Sequence, residues 1–244
     1  MKLMNRSVEM QVEFFHDVIC SFCFPMSYRM RKVAKKYPKL EIIHRSFALG
    51  WEKEQFIQQF GSHEAVKPEV IHHWESANQN DDEHRFNIEG MKEQDFLFPT
   101  SKNGLKAAKA AGMIAGQEAY WAVFDGLQQA LFIENRDISD MKIIDSIVKQ
   151  TSIDFDAWKT QFENPETEQA VMEDLQRVQD YGIQGAPAIV VNQKYLISGA
   201  QPQEVIEQTI EQIAQEEGFQ LKGLTLMGSD AAACNMIDGK WVCD

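Results

Sequence analysis

Val12-Glu13-Phe14-Phe15-His16-Asp17-Val18-Ile19-Cys20-Ser21-Phe22-Cys23 is the stretch that decides the fold. Val12 to His16 is strand-like, and a helix reads from Ser27 to Lys36, so two cysteines spaced i, i+3 stand where a strand hands over to a helix. Cysteines at that spacing on a first helical turn can close a small disulfide. The first also meets exposed backbone N–H groups and the positive end of the helix dipole, which favour a thiolate. A thiolate is the species that attacks a disulfide, so the placement reads as a redox site. Cys20 is expected to be partly exposed and the faster of the two to react, with Cys23 a turn deeper.

Working outward, Leu40 to Phe47 is a second run of strand formers, which makes the first fifty residues β-α-β. From about Trp51 to Gln179 almost all the periodicity is helical. Tyr120, Val123, Phe124, Leu127 and Leu131 form one apolar stripe. Asp137 reads as the N-cap of a helix that buries Ile143, Ile144, Ile147 and Val148. The small residues Ala107, Ala108, Ala110, Ala111, Gly112 and Ala115 suggest a helix packed closely on a neighbour. Strand pattern returns at Pro187–Val191 and Lys194–Ser198, with Asn192-Gln193 as the hairpin link. Pro202 opens a last helix with Val205, Ile206, Thr209, Ile210 and Ile213 inward.

The order β-α-β, helical block, β-β-α specifies an α/β chain: a thioredoxin fold with a large inserted all-helical domain. Expected boundaries are 8–50 and 180–216 for the discontinuous thioredoxin-like domain and 51–179 for the helical insertion. Residues 217–244 would then form a C-terminal tail carrying the cysteine pair Cys234 and Cys243.

The chain has 244 residues, 44% apolar and 25% charged, which is enough for a packed core. Lys and Arg total 24 against 37 Asp and Glu, a formal charge of −13. Such a surface repels phosphate backbones and anionic lipid, so nucleic acid and membrane are poor partners. The basic cluster Arg29, Arg31, Lys32, Lys35, Lys36 and Lys39 reads as a solvated helix face. Met1 to Ser7 shows no apolar signal core, and no run of about 18 apolar residues occurs, so the expected location is the cytoplasm. In a reducing compartment four cysteines point to catalysis or metal binding rather than to a structural framework.

Gly182-Ile183-Gln184-Gly185-Ala186-Pro187 is the second informative segment. Proline is tolerated at a strand's first residue, and an X-Pro bond can be cis. Facing the cysteines, such a proline would leave the N–H and C=O of Ala186 free to pair with an extended substrate backbone.

Phe14–Cys23, Gly182–Pro187 and Ser198-Gly199-Ala200-Gln201 together resemble the DsbA-like thioredoxin-fold family, in particular its FrnE-like cytosolic branch, over about residues 10–215. The resemblance implies a dithiol–disulfide oxidoreductase or isomerase without a bound cofactor. It makes Cys20 the attacking thiol, Cys23 the resolving thiol and Pro187 a cis-proline. Ser21, Phe22 and Ala186 would join Pro187 in touching substrate. Its implied partners are disulfide-containing proteins or small thiols and a redox partner the residues do not identify; neither do they fix the oligomeric state. Position 21 is Ser where the family often has Pro, and Phe22 supplies no charge, so a moderately stabilised thiolate and a mildly oxidising disulfide are expected.

Other residues carry weaker readings. His63, His72, His73 and His84 show no stable ligand spacing and read as solvated, so no metal site is expected there. Trp51, Trp74, Phe86, Met91, Phe96 and Phe98 read as core, with an apolar lid for substrate as the alternative. Cys234 and Cys243 flank the turn dipeptide Asp238-Gly239, as a tail staple or as a second redox pair. Two rival functions remain at this level. One is a glutathione-dependent isomerase or kappa-type transferase, whose members usually lack Cys23. The other is a zinc- or peptide-binding module using all four cysteines.

Overall fold

The computed structural model describes residues 10–221 and the backbone of 234–237 and 240–243, and it builds its sheet around β1 (Met10–His16). Helix α1 (Cys23–Lys36) returns the chain so that β2 (Leu40–Ser46) runs parallel to β1, with Phe14 opposite His44 and His16 opposite Ser46. Strand β3 (Ala188–Val191) lies antiparallel on the other side of β1, and β4 (Tyr195–Ser198) closes the sheet in the order β2-β1-β3-β4. Asn192 and Gln193 both have positive φ, 51° and 56°, within a three-residue link, Asn192 to Lys194, that the Lys194 N–H closes onto the Val191 carbonyl at 3.0 Å. The Asn192 side chain also accepts from the Gln11 N–H at 3.0 Å, tying the turn to β1.

Between β2 and β3 the chain is helical: α2 (Lys53–Phe60), α3 (Val66–Asn80), α4 (Ile88–Lys92), α5 (Ser101–Ala115), α6 (Gln117–Phe132), α7 (Met141–Val148), α8 (Phe155–Glu163) and α9 (Pro165–Asp180). Helix α10 (Gln203–Glu217) follows β4. This is the thioredoxin fold with a helical insertion. A separate two-stranded sheet pairs β5 (Cys234–Ile237) with β6 (Lys240–Cys243) and sets Cys234 opposite Cys243 in register. The side chains of both, and with them the staple-or-relay expectation, lie outside the described residues.

Strand alternation explains the layers. Val12 and Phe14 point to one face, where Met26, Met30 and Val33 of α1 meet Ile206, Ile210 and Ile213 of α10. Phe15 points to the other face, against Val178 of α9 and Ile183. The insertion has its own core, centred on Trp74, Phe98, Leu105, Phe124 and Phe132, and the segment Val18–Phe24 belongs to it. Asp174 binds the insertion to the sheet through buried polar bonds. Asp174 of α9 accepts from the Ser46 N–H at 2.8 Å and from Arg45 at 3.2 Å, and it pairs with Lys109 of α5. Arg45 also reaches Glu13 at 2.7 Å.

Four sequence expectations are corrected. Helix α1 begins at Cys23, not Ser27, because Pro25 falls in the first turn, where a missing N–H costs no helical bond. Asp140 rather than Asp137 caps α7, accepting from the Lys142 N–H, while Asp137 closes its own turn onto the Ser139 N–H. Val205 is 40% exposed, since the buried stripe of α10 runs through Ile206, Ile210, Ile213 and Ala214. Arg29 does not stand on a solvated face. It is buried, bonded to Asp82 at 2.7 Å, to the Asn80 side chain at 3.0 Å and to the Gln201 carbonyl at 3.0 Å, and so pins α1 to the end of α3 and the β4–α10 link.

His16 and His44 lie beside each other under α6, with ring nitrogens 3.2 Å apart and Tyr120 stacked on both. Burial, and then the charges of His44 and Lys109, hold His16 well below the usual imidazole range. Burial, with Arg31 and Lys109 adding, lowers His44 to about 3. Both therefore stay neutral in the folded chain while the unfolded chain takes up protons below about 6.5, so stability falls as pH drops through that window. Asp17 acts with the opposite sign. Burial raises it to about 6, so the folded state holds a proton between about 6 and 3.8 that the unfolded state lacks. The three together leave a net uptake of one proton on unfolding between about pH 6 and 4, or about 1.4 kcal/mol per pH unit. His44→Phe should remove that slope, read as urea-unfolding free energies at pH 6 and pH 4.5 for both proteins. An unchanged difference between the two pH values would locate the acid sensitivity elsewhere.

Candidate functional site

Cys20, Ser21 and Phe22 form a turn between β1 and α1, closed by the Cys23 N–H to the Cys20 carbonyl at 3.1 Å and the Phe24 N–H to the Ser21 carbonyl at 3.2 Å. Cys20 thus stands ahead of the helix, not within its first turn. Both thiols are free. Across from them the Ala186–Pro187 peptide bond is cis, and the Cys20 thiol donates to the Ala186 carbonyl at 3.5 Å. That carbonyl, expected to be free for substrate, is therefore held by the thiol in the reduced protein.

Cys20 is only 3% exposed, against the expectation of partial exposure. The cover comes from elements distant in sequence. A cavity of about 270 Å³ lies on Cys20, Ser21, Phe22 and Ala186, and its far walls are Phe56 and Phe60 of α2, Val70 and Trp74 of α3, and Phe98. Trp74 and Phe98 are thus both core and cavity wall. Pro187 is buried beside the cavity without lining it.

Cys23 is wholly buried behind Cys20. Burial pushes its thiol well above the ordinary range, and the neighbouring Cys20 and then the charge of Asp17 add to this. Cys23 is accordingly a protonated thiol at neutral pH, reached only after Cys20 has reacted.

Two residues that hold this geometry were not singled out from the sequence. The Asp17 carboxylate accepts from the Leu49 N–H at 2.7 Å, the Ser101 hydroxyl at 2.7 Å and the Ile19 N–H at 3.3 Å, joining the cysteine turn to the start of α5. Gln128 of α6 donates to the carbonyls of Asp17 and Cys20, each at 3.3 Å. The signals were present: an acid inside the apolar run Phe14–Cys20, and a polar residue on the buried stripe of α6. Gly104 shows how close α5 comes, since a Cβ there would lie 2.6 Å from the Val18 side chain.

The four histidines of the insertion do not converge. His63 bonds to the Phe98 carbonyl at 2.7 Å, His84 to the Asn78 carbonyl at 2.6 Å, and His72 and His73 are exposed on α3. Among the described residues no three His, Cys, Asp or Glu side chains are placed together to hold a metal ion. Nor is any described helix long and apolar enough to cross a membrane.

A family model described as a DSBA-like thioredoxin domain matches residues 11–211. Among solved structures, one from Nitrosomonas europaea, provisionally described as a protein disulfide isomerase, superposes with a TM-score of 0.71 at 21% identity, covering 86% of this chain and 100% of that one. The cytosolic disulfide reductase DsbM from Pseudomonas aeruginosa gives 0.66 at 14% identity, over 83% and 99% of the two chains. A 2-hydroxychromene-2-carboxylate isomerase gives 0.60 at 12% identity, over 85% and 98%. The comparison with curated proteins found no match.

Proposed function

The chain belongs to the DSBA-like thioredoxin domain family, and from that premise we propose that it is a thiol–disulfide oxidoreductase working through Cys20 and Cys23. The observation that carries this is the pair itself: a free thiol on the cavity wall, bonded to the Ala186 carbonyl, with a second free thiol buried behind it. Cys20, having lost its proton to solvent, attacks one sulfur of a substrate disulfide. A Cys20–substrate disulfide forms, and the other substrate sulfur leaves as a thiolate that solvent protonates. Cys23 then attacks the Cys20 sulfur, closing the Cys20–Cys23 disulfide, and its proton ends on the departing substrate sulfur. Two electrons pass from the dithiol, which is oxidised, to the substrate, which is reduced. Run backwards, the same steps oxidise a substrate dithiol.

The proposed setting is the cytoplasm, where a reducing pool keeps such a pair as thiols; the description of DsbM as a cytosolic reductase supports this reading. Its proposed partners are disulfide-containing proteins or small thiols, with a separate redox partner to reset the pair, and the chemistry as written needs no cofactor.

A second reading, glutathione-dependent isomerisation, draws support from the likeness to the hydroxychromene-carboxylate isomerase. The experiment that separates the two is Cys23→Ser. Disulfide exchange requires that this variant stall as a mixed disulfide, one substrate half per chain on Cys20, released only by added thiol. Full turnover by Cys23→Ser would instead favour the isomerase reading.

A further inference from the structure

Displacement at a disulfide is in line: the attacking sulfur, the sulfur attacked and the sulfur expelled lie close to one axis. Cys20 enters the cavity of about 270 Å³ from its own turn, so the sulfur expelled from a substrate moves toward the opposite wall, which α2, α3 and Phe98 build. What stands on that wall decides how the new thiolate is received. Val70, His73 and Trp74 of α3 all line it, and their i, i+3, i+4 spacing places the His73 imidazole on the helix face that borders the cavity.

An expelled thiolate needs a partner there. Among the described residues no Lys, Arg, Asp or Glu lines the cavity, and most of its lining side chains are apolar, so a negative charge formed in it leaves water with little in return. Ser21 and Gln59 can donate a hydrogen bond, but they hold their protons at neutral pH. His73 is the lining side chain that can both carry a positive charge and give up a proton near neutrality. It is also exposed, so solvent can recharge the imidazole between turnovers.

We propose that His73 is a catalytic residue of the exchange reaction, the general acid that protonates the sulfur expelled when Cys20 attacks. The inference rests on the exchange function proposed above. As the bond from Cys20 to the nearer substrate sulfur forms, the substrate S–S bond breaks and its electron pair leaves on the farther sulfur. The proton of the His73 imidazolium moves onto that sulfur, and the neutral imidazole then takes a proton from solvent. Run backwards, the neutral imidazole removes the proton from a substrate thiol, whose sulfur attacks the mixed disulfide and expels Cys20. Removing the imidazole should slow the step about tenfold, less than the roughly hundredfold or more usual for a general acid, because a thiolate already departs from sulfur fairly readily.

The test compares the reduced protein with His73→Gln and with His72→Gln, a control because His72 shares the helix and the exposure but does not line the cavity. Two uncharged substrates differ in what their leaving sulfur requires. The disulfide of acetyl-cysteine-amide expels an alkanethiolate, which takes up a proton at neutral pH because its pKa is about 8.5. Dithiodipyridine expels a sulfur that departs as a thione and takes up none. Second-order rates of single-turnover reduction are measured at one pH near neutrality. His73→Gln should be slowed about tenfold with the alkyl disulfide and less than about twofold with the aromatic one, while His72→Gln matches the parent with both. Equal slowing with both substrates would show that His73 only shapes the cavity, and no slowing with either would show that it is idle. Either result, or an equal selective loss in His72→Gln, overturns the proposal and leaves the dithiol chemistry standing. Failure of the parent protein to reduce either substrate overturns both readings.

Discussion

Cys20→Ser is expected to reduce disulfides no faster than buffer alone while keeping its fold. Serine differs from cysteine by one atom, and the bond from the Cys20 side chain to the Ala186 carbonyl is one that a hydroxyl can also donate. At neutral pH a hydroxyl is not ionised and does not attack sulfur, so the first step is lost outright. Cys23 cannot substitute for it, being wholly buried with its thiol held protonated. Peptide-disulfide reduction followed beside far-UV circular dichroism checks both halves of the expectation. Residual turnover above buffer, with the fold intact, would mean that another group attacks.

Asp174→Ala should destabilise the chain by about 3–5 kcal/mol, because it strands the buried Lys109 ammonium. Lys109 and Asp174 are both buried, and Asp174 also takes bonds from Arg45 and the Ser46 N–H. Burial already presses the Lys109 ammonium below its ordinary range, and Asp174 is the charge that opposes this. Without that carboxylate, Lys109 must lose its proton or draw water into the seam between α5, α9 and β2. For a chain of this size the loss corresponds to a fall in Tm of roughly 6–20 °C. The double variant Lys109→Met/Asp174→Leu should recover part of it, since paired removal leaves no orphan charge. Thermal melts of the single and double variants give the coupling, and additive losses would show that the pair is not the tie.

Much of the architecture was readable from periodicity. The i, i+3, i+4 stripe at Tyr120–Leu131 and the short β-rich runs at Val12–His16 and Ala188–Val191 are local signals, and each became the element it specifies. Cys20, Ser21, Phe22 and Ala186 were legible as neighbours because the order of elements implies their meeting.

What sequence hid were consequences of long-range packing. The burial of Cys20 depends on Phe56, Phe60, Val70 and Trp74, which local pattern presents simply as helix faces. Arg29 looked like one more charge in a basic run, and only the approach of Asn80 and Asp82 makes it a buried anchor. The α7 cap falls on Asp140 instead of Asp137 although both are good capping residues, and the choice rests on which N–H groups the turn presents.

Exchange as proposed requires that Cys20 and Cys23 react as a pair. Its most direct test is to oxidise the reduced protein with a stoichiometric small disulfide, block the remaining thiols and map the products by peptide mass. An internal disulfide joining Cys20 to Cys23 is expected, with two thiols lost from that pair for each substrate disulfide reduced. Oxidation that leaves both thiols free to be blocked, or that joins either to another cysteine, would contradict it.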